Sequence, residues 1–107
     1  MTNKSYGFLR VAAASPRVWP ANPGRNASEI IRMAAEAGAV RTAVLVFPEL
    51  CVTGYSCADL FAQDRLINGA EEAVKQILDA TAGNPCLIAV GAPVRFAGRL
   101  YNCAVVI

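Results

Sequence analysis

Val44-Leu45-Val46-Phe47-Pro48-Glu49-Leu50, continued by Cys51-Val52-Thr53-Gly54-Tyr55, is the stretch on which the reading of this chain turns. Residues 43–47 are a short unbroken apolar run, partly β-branched and aromatic, that stops at a proline. Such a run suits a strand covered on both faces. Pro48 has no amide hydrogen for a ladder, so the strand is predicted to end there. Glu49 then stands just past the carboxyl end of the strand, the edge where ligand and catalytic groups gather in an open α/β sheet. Set among Phe47, Leu50 and Val52, it is expected to be half-buried and rigidly held, as a general base requires. Spacing alone equally admits a helix-capping or ion-paired glutamate on an ordinary loop.

Outward from that stretch the chain alternates strands and helices. Residues 8–14 read as a first strand, with Arg10 at its edge and Ser15-Pro16 as its break. A loop over residues 18–24 leads to a helix. Asn22 before Pro23 is one candidate cap, and Asn26 with Glu29 three residues on is the other. Ile30, Met33, Ala34 and Ala37 then fall on one helical face, with Glu29, Arg32 and Glu36 on the wet side and Gly38 as the expected stop. The strand at 43–47 completes a β–α–β unit, whose right-handed crossover makes the two strands parallel. Residues 56–63 suit a short helix capped by Ser56, with Asp59 in its first turn and Leu60 and Phe61 packed beneath.

Leu66, Ala70, Ala73, Val74, Ile77 and Leu78 form an apolar stripe at helical spacing. Glu71 and Lys75 on the outer side are four apart and are expected to pair. Gly83-Asn84-Pro85 ends that helix. Residues 87–92 read as a third strand and 101–107 as a fourth, its hairpin partner, with the turn at Gly98. Arg95 and Arg99 are expected to be solvated turn charges. The expected fold is therefore α/β, with about four strands and two main helices on one side.

Composition narrows the function classes. Of 107 residues, 55% are hydrophobic and 17% charged, with a net charge of +2. That is more apolar than the roughly 45–50% usual for soluble domains, as expected of part of a larger fold or a subunit with a large interface. No Lys/Arg stripe with interleaved aromatics appears, so nucleic-acid binding is not expected. No apolar run approaches the ~20 residues of a membrane helix, and Met1-Thr2-Asn3-Lys4-Ser5 lacks a signal-peptide core. A cytoplasmic location follows, with Cys51, Cys57, Cys86 and Cys103 as free thiols. With no histidine and no Cys-x-x-Cys, no metal site is expected and a Ser–His–Asp triad is impossible. The glycine patterns of dinucleotide and phosphate loops are also missing.

Phe47-Pro48-Glu49-Leu50 followed by Thr53-Gly54-Tyr55 resembles the first catalytic segment of the nitrilase, or carbon–nitrogen hydrolase, superfamily. Val11-Ala12-Ala13-Ala14-Ser15-Pro16 and Thr53-Gly54-Tyr55-Ser56-Cys57-Ala58-Asp59-Leu60-Phe61 resemble one branch of it, the glutaminase domains of glutamine-dependent NAD synthetases. The resemblance runs from Phe8 to Ile107. It implies an incomplete nitrilase-type α-β-β-α sandwich, with residues 1–107 as the amino-terminal portion of a glutaminase domain whose remainder is absent. It implies Glu49 as general base of a Glu–Lys–Cys triad and Tyr55 as a substrate-pocket residue, although Tyr55 could equally only pack its loop. The family's lysine and nucleophilic cysteine would lie beyond Ile107, so the 107-residue chain alone is expected to be inactive. Glutamine is the implied substrate and a homo-oligomer the implied assembly. ATP and magnesium are expected only in a separate synthetase domain. Another amidase of the superfamily and a non-catalytic assembly module are the alternatives.

Overall fold

The computed structural model describes residues 7–107. Met1–Ser5, read above for a signal sequence, lie outside the described residues. The elements run β1 (Val11–Ala13), α1 (Pro23–Ala39), β2 (Val44–Val46), a 3-10 helix (Ala58–Ala62), α2 (Asp64–Ala80), β3 (Leu87–Phe96) and β4 (Arg99–Val106). They build one mixed sheet in the order β1-β2-β3-β4. Val11 pairs Val44 and Val44 pairs Leu87 in parallel; β3 and β4 pair antiparallel from Ala89–Val106 to Phe96–Arg99. Both parallel steps move the same way across the sheet, so right-handed crossovers put α1 and α2 on one face. The two helices pack on each other and on the sheet over Leu45, Phe47, Ile88, Val90 and Ala92.

Strand alternation sends the other residues to the opposite face, which no helix covers. Val11, Val46, Leu87 and Val106 lie there, each between 47% and 65% exposed. The fold is thus α/β with its helical layer on one side only.

Several local expectations need correction. β1 is only three residues long. Asn22, not Asn26, caps α1: its side chain accepts from the Arg25 amide at 3.2 Å, with Pro23 in the first turn. Gly38 does not stop the helix. It lies under Asn84, whose amide group would sit 2.8–2.9 Å from an added Cβ and whose Nδ2 donates to the Ala34 carbonyl at 2.9 Å. The helix runs on to Ala39, and the chain turns away at Arg41, at φ 62.

Ser56 caps nothing; Cys57 takes the N-cap place of the 3-10 helix without a side-chain bond, and Leu60 is exposed. In α2, Ile67 is buried and Leu78 is 52% exposed, because a residue one step past Ile77 turns about 100° away from the buried line. Glu71 sits 3.9 Å from Arg95 rather than pairing with Lys75.

The hairpin strands also extend further than the apolar runs suggest. β3 continues through Phe96, and β4 begins at Arg99, joined by Ala97-Gly98 with φ of 50 and 75. Positive φ at both central residues belongs to the turn type that matches strand twist. Arg95 is therefore a strand residue and not a solvated turn charge. It bonds Asp64 at 2.7 Å and Asn68 at 2.5 Å, tying β3 to α2. An exposed ion pair of this kind contributes at most about 1 kcal/mol.

Candidate active site

The ladder continues one residue past β2, where the Phe47 amide donates to the Ala89 carbonyl at 2.9 Å. Pro48 then interrupts it, as its missing donor requires. The chain turns sharply: the Cys51 amide donates to the Pro48 carbonyl at 3.3 Å, and those of Thr53 and Gly54 to the Leu50 carbonyl at 3.2 and 2.7 Å. Leu50 takes φ 52 at the corner. That backbone costs a leucine about 1–3 kcal/mol and persists only where surroundings over-determine it.

What holds the corner is contact with β3. The Val52 amide donates to the Gly91 carbonyl at 3.0 Å. A Cβ on Gly91 would meet Leu50 N at 2.2 Å and the Pro48 carbonyl oxygen at 2.5 Å. The elbow therefore rests directly on the β3 backbone, on the sheet face without helices. A second hold comes from α1. Asn26, 1% exposed, donates from Nδ2 to the carbonyls of Trp19 and Val52, both at 2.9 Å, and accepts from the Trp19 amide at 2.7 Å. One side chain thus ties the 15–22 loop and the Glu49 loop to the first helix.

Losing this tie strands two backbone carbonyls and an amide in the interior. Asn26→Ala is expected to lower unfolding free energy by about 1–3 kcal/mol in urea melts. Asn26→Asp is expected to do worse despite its shape, because it sets a carboxylate against two carbonyl oxygens. Equal stability of both variants and the parent would refute the anchoring role.

The corner buries Leu50 and turns Glu49 outward. Glu49 is exposed rather than half-buried: the positive φ sends the leucine inward, and no layer covers this side of the sheet. Its carboxylate borders a cleft of about 240 Å³ with Val46, Ala89, Gly91, Asn102 and Ala104. Asn102 on β4 donates from Nδ2 to Glu49 Oε2. Tyr55, 70% exposed, stands further along the same loop and is not among the residues lining this cleft.

The thiols do not gather around Glu49. Cys51 is buried and turned toward the Gly91 carbonyl at 3.8 Å, and burial pushes its thiol up from the usual range, away from nucleophilic use. Cys103 borders the cleft but pairs in register with Ala92 of the helix-facing row. Lys75 is exposed on α2. Among the described residues no three or more His, Cys, Asp or Glu side chains are grouped to hold a metal ion. Among the described residues no helix is long and apolar enough to cross a membrane.

A strand that stops at a proline with Glu49 just past it matches the order read from the sequence, whereas the outward turn of Glu49 and its seat on Gly91 do not appear in that reading. The family model described as carbon-nitrogen hydrolase matches residues 10–107. The chain belongs to the carbon–nitrogen hydrolase family. The glutamine-dependent NAD(+) synthetase of Mycobacterium leprae is 40% identical over 103 residues, 96% of this chain and 15% of that protein. That of Mycobacterium bovis is 38% identical over 102 residues, again 15% of its length. In the crystal structure of a glutamine-dependent NAD(+) synthetase from Cytophaga hutchinsonii, a region 31% identical superposes with a TM-score of 0.85, covering 92% of this chain and 17% of that one. This carbon–nitrogen hydrolase chain thus spans about 15% of the length of the curated relatives it matches.

Three residues that shape the site carry sequence signals that periodicity alone passes over. Asn26 stands four residues before Ile30, in line with the apolar stripe of α1, where a polar side chain has to find buried partners. Gly91 interrupts an apolar strand, a mark of close backbone approach. Asn102 is the one polar side chain in the run from Leu100 to Ile107.

Proposed function

We propose that this chain supplies the general base for hydrolysis of the glutamine side-chain amide, releasing ammonia for ATP-dependent NAD synthesis. The observation that carries the reading is the Glu49 carboxylate, held over a cleft by an elbow built on Gly91 and Asn26, in a chain whose relatives bear the name glutamine-dependent NAD(+) synthetase. Glu49 takes the proton from an attacking cysteine thiol, passes it to the amide nitrogen as the C–N bond breaks and ammonia leaves, and then activates the water that releases glutamate from the thioester. The cysteine and the oxyanion-stabilising lysine of the triad come from elsewhere in the complete protein. Tyr55, exposed on the same loop, is the further residue assigned to the substrate in this reading. ATP and magnesium serve the synthetase chemistry of the complete protein in this reading. The protein works in the cytoplasm, where its thiols stay reduced. The test is product formation from glutamine and from ammonium by the complete gene product carrying Glu49→Gln.

The 107-residue chain by itself is expected to release no ammonia from glutamine, since triad members act as a unit. It is also expected to self-associate through the uncovered sheet face, because large apolar patches and open strand edges are association sites. Ammonia release and light scattering at micromolar concentration check both. Turnover lost on Glu49→Gln would overturn the first expectation, and a cooperative monomer the second.

A further inference from the structure

Asn102 is an unfavourable residue where it stands. Asparagine is a poor strand former, and the run around it is otherwise apolar, from Leu100 through Ile107. Pairing of Pro93 with Asn102 and of Gly91 with Ala104 places its side chain on the uncovered face, the face on which the Glu49 elbow rests. There its Nδ2 donates to Glu49 Oε2, across 53 residues of sequence. It also borders both the Glu49 cleft and a neighbouring apolar cleft of about 200 Å³ formed with Leu50, Phe61, Pro93, Leu100 and Tyr101. Nothing in the packing of the sheet requires an amide at this point. Among the described residues, the side-chain hydrogen bond it makes is the one to the Glu49 carboxylate.

We propose that Asn102 is a positioning residue for Glu49, its side-chain amide engaging Oε2 so that Oε1 is held toward the cleft as the proton acceptor. The proposal rests on the reading of Glu49 as general base. Its physical content is restraint. An exposed glutamate has three side-chain torsions and, untied, samples several rotamers. A catalytic group has to be held within about 0.5 Å of its working position. The elbow fixes the Glu49 backbone, but only a bond to the carboxylate fixes the atoms that move the proton. A bond to an ionised acceptor is roughly twice as strong as a neutral one, which suits this task on an open surface.

The experiment is steady-state glutamine hydrolysis by the complete gene product with Asn102→Leu, Asn102→Asp and Asn102→Ser, each also placed in a Glu49→Gln background. Asn102→Leu keeps the volume without the donor and is expected to lower kcat about 10–100-fold with KM little changed, the scale of an ångström of misplacement. Asn102→Asp is expected to lose more, since it sets a second carboxylate against Glu49. Asn102→Ser retains a donor and is expected to recover part of the rate. In the Glu49→Gln background the Asn102 changes are expected to add nothing, or only a small part of their single effects. Thermal melts identify any variant whose loss is unfolding, and the serine variant then decides the matter, because a role in packing alone gives serine no advantage over leucine. Parent kcat in Asn102→Leu and Asn102→Asp, or effects that multiply fully with Glu49→Gln, would overturn the positioning role while leaving Glu49 as base. Full glutamine hydrolysis by Glu49→Gln would instead remove the base reading, and the proposal with it.

Discussion

NAD formation from glutamine is expected to fall by about 10²–10⁴-fold when Glu49 is replaced by Gln in the complete gene product, while formation from added ammonium is expected to stay near the parent rate. The split follows from where Glu49 stands. Its carboxylate borders the cleft and bonds Asn102, and it makes none of the ion pairs that join elements in the described residues. A glutamine there keeps the volume and loses only the proton acceptor. The step that suffers is the one needing a base, the attack on the amide. Ammonium supplied from solution bypasses that step. A structural glutamate behaves differently: its loss costs about 1–3 kcal/mol of stability and weakens both reactions together, or neither. The measurement is initial rate with each nitrogen source alongside a thermal melt. Equal losses from both sources, or full activity with glutamine, would exclude the catalytic role.

Gly91→Ala is expected to be the most damaging small substitution in the sheet. The added methyl group would lie 2.2 Å from Leu50 N, 2.5 Å from the Pro48 carbonyl oxygen and 2.8 Å from the Glu49 carbonyl carbon. All three are backbone atoms of the elbow, so no side-chain rotation relieves the overlap. Ordinary carbon contacts begin near 3.5 Å; the elbow has to rise by about 1 Å or leave β3. Overpacking of this kind costs about 1–3 kcal/mol or more. The same displacement moves Glu49 and is expected to lower glutamine hydrolysis about 10²-fold in the molecules that stay folded. Gly24→Ala is the control: an added Cβ there meets nothing within 4 Å, and the position is helical. It is expected to be neutral or slightly stabilising. Urea unfolding and glutamine hydrolysis of both variants give the comparison, and a Gly91→Ala protein indistinguishable from Gly24→Ala would show that the elbow does not rest on β3.

The amino-acid sequence by itself determined the alternation of elements and the place of Glu49 just past the end of its strand. Apolar runs and the 3.6-residue stripes over Ile30–Ala37 and Leu66–Ile77 place both helices and all four strands, because burying a face leaves a period in the chain. Pro48 marks the end of its strand through a missing hydrogen, a property of the residue and of nothing around it. The parallel order and the single helical layer follow from the handedness of crossovers.

Tertiary structure alone decided how Glu49 is presented. Its expected half-burial rested on apolar neighbours in sequence, yet Leu50 at φ 52 separates them in space, one side chain inward and the other out. That backbone exists because Gly91, 42 positions along from Glu49, has no Cβ to push the elbow away, and because Asn26 binds Val52 from another element. Asn102 reaches the carboxylate only through a hairpin register. Sequence periodicity reports which residues share a face within one element. It carries no record of which backbone atoms from distant elements come within contact of each other, and at this site those contacts aim the carboxylate.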